Sequence, residues 1–360
     1  VALFDQHTPG REASWAAAGM LSPAPDSLAD IPLVPFSRAS LALYPEFIAE
    51  VEELSGRGTG YRPEGAIEAF FSGDGERKLS TLIALHHGLG LPTEPLPLDE
   101  ARKLETGLGR EARAAALLPY EASVDNRALT EAVLAAAVAE GVEIFADTRV
   151  KSLASEGPRC TGIITEGAAA ARGSGVEETI GAGNVVLAAG AFCGKIAGFS
   201  PQVATRPVRG QMVALRCAGT PLRRVLRSER GYLVPRDDAA PQRIVAGSTL
   251  EDADFEKRVT PAGLEHILSA AQELLPTLSD AEIVETWCGL RPDTPDHLPI
   301  LGPSELDRLT IATGHYRNGI LLTPITAKLV REWITERHVS MDWEIFSPLR
   351  FAGAQTSRKT

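Results

Sequence analysis

The chain has 360 residues and a formal charge of −11, with 44% hydrophobic and 23% charged residues. This length is enough for two domains with separate cores, and the composition is typical of a soluble globular protein. The negative charge argues against a nucleic-acid partner and against binding to an acidic membrane surface. The sequence contains no apolar run long enough to span a membrane and no zinc-ligand spacing among its four cysteines. We therefore expect a cytoplasmic protein with reduced thiols and no metal site.

The first predicted element is a buried strand, Val1–Phe4, which ends at Asp5. An acid at the end of such a strand binds ribose hydroxyls in Rossmann-type folds, although many acids simply end a strand. The glycine-rich turn that would precede this acid is not in the sequence, and the chain begins inside a strand-like run. We therefore expect further residues upstream, and the fold as given lacks its N-terminal strand and glycine-rich turn.

The middle of the chain alternates between helical and strand patterns. Apolar spacing and capping residues predict helices at Phe36–Leu54, Glu76–His87, Asp99–Thr106, Asp125–Glu140, Pro261–Leu275 and Pro324–Thr335. Apolar runs and the alternation of apolar with polar residues predict strands at Gly65–Phe71, Val142–Phe145, Val150–Ala154, Cys160–Thr165, Asn184–Ala188, Val208–Leu215, Tyr232–Pro235, Arg243–Ser248, Ile283–Leu290 and Leu309–Thr313. Residues 168–175 are expected to form a hairpin tip. The pattern predicts a mixed α/β (α+β) fold of two interleaved domains.

Two segments near the chain ends have the small residues that a flat, phosphate-bearing ligand needs. Ala13–Met20 allows close backbone approach, although it is also typical of a plain helix start. Gly314–Leu321 joins a strand to a helix, and its free N–H groups suit a ring carbonyl, although it could equally be a simple glycine-rich turn.

A third segment, Trp287–Asp296, places Arg291 at the end of an apolar strand. The planar guanidinium suits a carboxylate ligand. The alternative is an internal ion pair with Asp293 or Asp296.

Several short segments occur together in a fixed order: Phe4-Asp5, Ala16–Met20, Val150, Leu187–Gly190, Pro207–Gly210, Tyr232–Pro235, Gly289–Pro292 and Gly314–Gly319. In this order they resemble the FAD-dependent D-amino-acid oxidase family, and within it the glycine oxidases of bacterial thiamine synthesis. The resemblance extends from Val1 to about Trp343.

The resemblance implies a Rossmann-like FAD-binding domain (residues 1–40, 125–205 and 285–360) and a substrate domain on a mixed antiparallel sheet (residues 41–124 and 206–284). It implies non-covalent FAD bound by residues that we list here: Asp5, Gln6, Ala13, Ser14, Ala18, Gly19, Met20, Val150, Gly190, His315, Tyr316, Arg317, Asn318, Gly319, Ile320 and Leu321. Arg291 and Tyr232 would bind the substrate carboxylate, and the Arg317 carbonyl would face the amino group.

The implied reaction is oxidative deamination of glycine or a small amino acid. A hydride would pass to flavin N5, oxygen would give hydrogen peroxide, and the imine would serve thiamine thiazole biosynthesis. The resemblance also allows a homotetramer. Two alternatives stay open: a sarcosine or D-amino-acid oxidase or dehydrogenase, and a cofactor-free, truncated, non-catalytic fragment.

Overall fold

The computed structural model describes residues 1–25, 27–166, 177–199, 202–216, 221–237 and 241–351. The hairpin tip expected at residues 168–175 lies outside these ranges. Within them, no helix has both the length and the apolar composition to cross a bilayer. No group of side chains in the same ranges has the make-up of a metal site.

The helices follow the predicted positions closely. Their bounds are α1 Ala13–Ala16, α2 Val34–Ser55, α3 Gly75–Gly88, α4 Leu98–Leu104, α5 Asn126–Ala139, α6 Pro261–Leu274 and α7 Thr323–Glu336. The Asp125 carboxylate caps α5 by accepting from the backbone N–H groups of Arg127 and Ala128, at 3.0 and 3.1 Å. Short 3₁₀ helices occupy Leu28–Leu33, Gly190–Lys195, Pro276–Asp280, Glu344–Phe346 and Pro348–Phe351.

The strands are more numerous than the sequence predicted. Their bounds are β1 Ala2–Phe4, β2 Met20–Leu21, β3 Ala66–Phe70, β4 Glu94–Pro95, β5 Ala114–Leu118, β6 Ala122–Ser123, β7 Glu143–Phe145, β8 Arg149–Glu156, β9 Arg159–Glu166, β10 Glu177–Gly181, β11 Val185–Leu187, β12 Arg206–Arg216, β13 Val225–Ser228, β14 Gly231–Arg236, β15 Arg243–Gly247, β16 Glu282–Asp293, β17 Ile300–Pro303 and β18 Leu309–Thr313. Among those missed is β13, which carries no recognisable motif.

The largest sheet runs in the order β16-β12-β15-β14-β13-β3-β5-β4. It is mixed, because β13 and β3 pair in parallel while its other neighbours are antiparallel. One apolar core joins this sheet to α6 through residues such as Val213, Leu233 and Ile267. A second apolar cluster, containing Met212 and Val234, joins it to Ala18, which follows α1. The sheet therefore carries apolar clusters that reach both α6 and the α1 segment.

The remaining strands form smaller sheets with parallel pairs. Strand β1 pairs in parallel with β7, and β11 pairs in parallel with β18. Helices α2, α5 and α7 share one core that includes Tyr44, Leu129 and Leu329. Parallel strands covered by helices are the expected features of a Rossmann-like unit, so the predicted fold class is confirmed.

Two of the predicted domain limits do not coincide with element ends. The limit at residues 40/41 falls inside α2, which packs throughout with α5 and α7. The limit at residues 284/285 falls inside β16, which pairs with β12 along its whole length. Sequence pattern did not reveal these continuities, because both depend on contacts between distant segments. The division into two interleaved domains itself stays a prediction.

Candidate active site

A pocket of about 270 Å³ lies between the α1 segment, the large sheet and the turn before α7. Many of its lining residues were predicted from the sequence: Ala13, Ser14, Ala18, Gly19, Met20, Gly190, Tyr232, Arg291, His315, Tyr316, Arg317, Asn318, Gly319 and Ile320. The structure thus brings together three segments that are far apart in the chain.

Four predicted residues do not line this pocket: Asp5, Gln6, Val150 and Leu321. The Asp5 carboxylate ends β1 and accepts from the His7 backbone N–H at 2.8 Å. Val150 packs beside the core that contains Leu153 and Ile311. Leu321 is 1% exposed in the core under α7. Their roles at the cofactor therefore stay predictions.

Arg291 lies near the end of β16, and its guanidinium points into the pocket. It donates to the Ser248 hydroxyl at 2.8 Å and to the Thr249 carbonyl at 3.2 Å. Burial lowers the pKa of Arg291, and Tyr232 partly opposes this shift. None of the described residues forms an ion pair with this guanidinium.

The alternative of an internal ion pair for Arg291 is wrong, because both candidate carboxylates bind elsewhere. Asp293 contacts Arg206 and His297, at 2.8 and 2.7 Å. Asp296 contacts Arg350 at 2.8 Å. Arg291 is therefore available to a ligand.

Two glycines make room for the predicted carboxylate site. A Cβ atom on Gly210 would lie 2.2 Å from Nη1 of Arg291. A Cβ atom on Gly247 would lie 2.8 Å from the Tyr232 hydroxyl. The Tyr232 hydroxyl itself donates to the Met212 sulfur at 3.5 Å. Larger side chains at either glycine would displace the groups that face the pocket.

The turn before α7 lies directly beside Arg291. The Tyr316 backbone N–H donates to the Pro292 carbonyl at 3.0 Å, which ties the turn to the end of β16. Tyr316 adopts a φ of 47° and Gly314 a φ of 73°, so the chain reverses sharply here. Among the described residues, no hydrogen-bond acceptor is within range of the backbone N–H groups of Gly319 and Ile320. These donors are free for a ligand.

His315 adds no charge to this turn near neutral pH. Its Nε2 lies 3.0 Å from the Thr326 hydroxyl. Burial lowers the pKa of His315 to about 4. The pocket thus combines the half-buried Arg291 guanidinium, free backbone donors and a neutral imidazole.

A model of a known family, the FAD dependent oxidoreductases, matches residues 1–333. The chain belongs to the FAD dependent oxidoreductase family. The bifunctional protein ThiO/ThiG of Synechocystis is 36% identical over 344 residues, which are 94% of this chain and 48% of that relative. The chain therefore spans about half the length of the bifunctional relatives that it matches.

Glycine oxidase from Geobacillus kaustophilus is 32% identical over 357 residues, which cover 98% of this chain and 91% of the relative. The crystal structure of glycine oxidase from the same organism matches with a TM-score of 0.87 and 31% identity. That match covers 97% of this chain and 92% of the other. The fold thus agrees with that of a family member.

The cofactor of the FAD dependent oxidoreductase family is FAD, and the pocket residues fit its flat ring system. Part of the lining is small side chains that permit close approach: Ala16, Ala17, Ala18, Gly19, Ala188, Gly190 and Ala312. Gly19 has a φ of 76°, and a Cβ there would lie 2.0 Å from the Val124 carbonyl oxygen. The free N–H groups of Gly319 and Ile320 suit a ring carbonyl.

Two polar residues that the sequence analysis did not single out hold the Ser14–Ala18 backbone in place. The Asn126 amide donates to the carbonyls of Ser14 and Trp15, at 2.8 and 2.9 Å. Arg236, which is 4% exposed, donates to the Ala18 carbonyl at 2.7 Å. The only local signal for Asn126 was its place after the helix cap Asp125, and no local signal marked Arg236.

Proposed function

We propose that the protein oxidises glycine or another small amino acid to its imine, with FAD as the electron acceptor and hydrogen peroxide as the second product. The observation that carries the proposal is Arg291, a pocket-lining cation without a carboxylate partner among the described residues. A buried charge is costly unless an opposite charge joins it. The α-carboxylate of an amino acid is a suitable partner.

Arg291 and Tyr232 would bind that carboxylate together. The hydrogen bonds of Arg291 to Ser248 and Thr249 fix the plane of the guanidinium, which leaves its remaining N–H groups for the ligand. The anchored substrate would then present its Cα to the turn at Gly314–Leu321. Orientation of this kind supplies a large part of the acceleration in such reactions.

FAD bound in the pocket would supply an acceptor for the hydride of the substrate Cα and a route for its electrons to oxygen. The backbone N–H groups of Gly319 and Ile320 would hold the ring carbonyl and, with the N-terminus of α7, stabilise negative charge there. The imidazole of His315 is neutral near pH 7, so it adds no charge to this turn.

The described part of the pocket lining contains no aspartate or glutamate. The substrate ammonium would therefore lose its proton to water before or during binding, and no carboxylate base takes part. We propose that the Arg317 backbone carbonyl accepts a hydrogen bond from the neutral amine.

The glycine oxidase from Geobacillus supports glycine as the substrate, and the bifunctional ThiO/ThiG relative supports a role in thiamine thiazole biosynthesis. We assign both to this chain as parts of the proposal. Oxygen as the acceptor, a homotetramer and a cytoplasmic location remain predictions from the sequence.

The first experiment measures the visible absorption of the purified protein and then peroxide release with glycine, sarcosine and D-alanine. A flavin spectrum together with the fastest turnover of glycine is the expected result. Preference for sarcosine or D-alanine would favour the sister oxidases, and reduction without peroxide would favour a dehydrogenase. A colourless protein would favour the cofactor-free alternative.

The second experiment replaces the proposed anchor. We expect Arg291→Met to raise the KM for glycine by roughly 10- to 100-fold, because a hydrogen bond to a charged group contributes about 1.5–3 kcal/mol. Arg216→Met, at the far end of β12 and paired with Glu282, serves as the control and should leave the KM unchanged. An Arg291→Met protein that binds glycine as well as the parent would overturn the assignment.

A further inference from the structure

Arg227 lines the same pocket as Arg291 and Arg317, and the function proposed above does not use it. Arg227 donates through Nε to Glu68 at 2.9 Å and through Nη1 to Glu121 at 3.1 Å. The Ser22 hydroxyl also lines the pocket and donates to Glu121 at 2.6 Å. We call Ser22, Glu68, Glu121 and Arg227 the ionic wall.

The ionic wall lies next to the proposed carboxylate anchor. Arg227 on β13 is the direct cross-strand partner of Tyr232 on β14. Directly opposite residues of an antiparallel pair project to the same face of the sheet. Arg291 reaches the same face from β16 and contacts Ser248, which follows β15. Tyr232 therefore lies between Arg291 and Arg227 along the sheet, and a substrate held by Arg291 and Tyr232 would meet the ionic wall.

The ionic wall is well shielded from solvent. The side chains of Arg227, Glu68 and Glu121 are 16%, 15% and 2% exposed. Tyr120, whose ring belongs to the same apolar cluster as Tyr232, precedes Glu121 in the chain. Of the four residues, Arg227 and Ser22 line the pocket, so a bound ligand would meet the wall at these two side chains.

A ligand group placed against Arg227 or Ser22 would exclude water from these polar side chains. An apolar group cannot replace the lost hydrogen bonds, and a polar group left without them costs about 1–3 kcal/mol. A hydroxyl on the ligand could replace one of these hydrogen bonds, whereas a substrate without a substituent places no group against the wall.

We propose that the ionic wall, with Arg227 at its centre, determines substrate specificity by rejecting apolar substituents on the substrate carbon. The accepted amino acids are those whose substituent is hydrogen or a short hydrogen-bonding group. This inference rests on the proposed function, because the anchor at Arg291 and Tyr232 sets where the substituent lies.

The test uses two substrates of nearly equal size. D-Serine and D-2-aminobutyrate differ only by a hydroxyl in place of a methyl group. We expect the parent protein to favour D-serine in kcat/KM by about tenfold, which corresponds to ~1.4 kcal/mol. Turnover of glycine, which has no substituent, is measured beside them.

The variant that tests the wall removes all of its charges together. A single Arg227→Met change would leave two buried carboxylates without their cation, so we combine it with Glu68→Gln and Glu121→Gln. We expect the preference for D-serine to be lost or reversed in this triple variant, while glycine turnover changes less than the ratio does. Ser22→Ala should reduce the preference by a few-fold.

A matched control is available just before β13. The pair formed by Arg224 and Glu105, at 3.9 Å, includes a carboxylate that is 2% exposed, but neither residue lines the pocket. The Arg224→Met/Glu105→Gln variant should keep the parent's ratio of D-serine to D-2-aminobutyrate. An unchanged ratio in the triple variant, or an equal change in the control, would overturn the inference.

A binding measurement separates this inference from the proposed function. Calorimetric titration compares 3-hydroxypropionate with butyrate, which also differ by a hydroxyl in place of a methyl group. The parent should bind 3-hydroxypropionate about tenfold more tightly, and the triple variant should not. If no amino acid is oxidised yet this difference appears, the proposed function fails and the ionic wall stands. If glycine is oxidised and the difference is absent, the ionic wall fails alone.

Discussion

Arg227 and Arg291, two of the arginines that line the pocket, differ in one respect that decides their chemistry. Arg227 is held by two carboxylates, whereas Arg291 is held by a hydroxyl and a backbone carbonyl, which are neutral. A guanidinium that is already neutralised forms a polar surface, whereas one held only by neutral oxygens still attracts an anion. The comparison of Arg227 with Arg291 shows that lining the pocket is not enough for an arginine to bind a charged ligand. The charges of the groups that already contact the guanidinium decide this.

The comparison predicts effects of very different size on stability. Removing Arg227 leaves two buried carboxylates without their cation, so we expect Arg227→Met to lower the free energy of unfolding by about 3–5 kcal/mol. Removing Arg291 leaves no carboxylate unpaired among the described residues, so Arg291→Met should change that free energy by less than about 1 kcal/mol. Urea denaturation of the two variants and the parent measures both values.

The control for this prediction adds Glu68→Gln and Glu121→Gln to Arg227→Met. Neutral amides have no unpaired charge to bury, so most of the lost stability should return. Equal losses for Arg227→Met and Arg291→Met would show that the two arginines are held alike.

A buried histidine, His86, extends the comparison to pH. The pKa of His86, which is 1% exposed, is lowered to about 4 by burial, with smaller contributions from Arg227 and His87. The unfolded chain therefore takes up a proton near pH 6.5, which the folded chain does not bind until about pH 4. Stability that is present above pH 6.5 is thus lost as the pH falls towards 4.

We expect this group to contribute about 2 kcal/mol of that loss, less than the full shift implies because some hydration persists. The measurement is the free energy of unfolding at pH 7 and at pH 4.5 for the parent and for His86→Asn. Asparagine keeps a polar group near the Thr93 hydroxyl, which lies 2.7 Å from Nδ1, but it does not titrate. An identical pH dependence in both proteins would contradict the assignment.

The sequence predicted Arg291 as a site residue but gave no indication that Arg227 lines the same pocket. Arg291 stands in the segment Gly289–Pro292 at the end of an apolar strand, and this signal is local. Arg227 lies in the four-residue strand β13, and Glu68 is 159 positions away. Its partners come together only through the parallel pairing of β13 with β3, which no local pattern indicates.

The fold likewise has features that the sequence predicted and features that it did not. The helix at α5 was predicted nearly to the residue, because Asp125 caps it and its apolar spacing is regular. Two of the predicted domain limits fall inside α2 and β16, because the extent of these elements depends on tertiary contacts that no local pattern shows. Local chemistry was predictable, and long-range pairing was not.

The glycine beneath Arg291 provides a sharper test of the anchor than removing it does. A Cβ on Gly210 would lie within 2.2–2.5 Å of the Arg291 guanidinium, so the flexible end of that side chain must shift. We expect Gly210→Ala to raise the KM for glycine about tenfold, or ~1.4 kcal/mol, with little loss of stability. The control is Gly58→Ala, whose new Cβ would meet no atom within 4 Å. A lower melting temperature with an unchanged KM would mean that the backbone moved and the guanidinium did not.

The smallest predicted effect concerns the hydroxyl that orients Arg291. Ser248→Ala removes one hydrogen bond of 2.8 Å but leaves the Thr249 carbonyl in place, so the guanidinium keeps one of its two contacts. One such bond contributes about 1 kcal/mol, which predicts a rise of about fivefold in the KM for glycine. Ser228→Ala, on β13 and outside the pocket lining, should have no effect on the KM. Because the lost bond orients the cation and does not neutralise it, the change should appear in the KM and leave the charge preference of the pocket intact. An effect as large as that of Arg291→Met would mean that Ser248 itself binds the substrate.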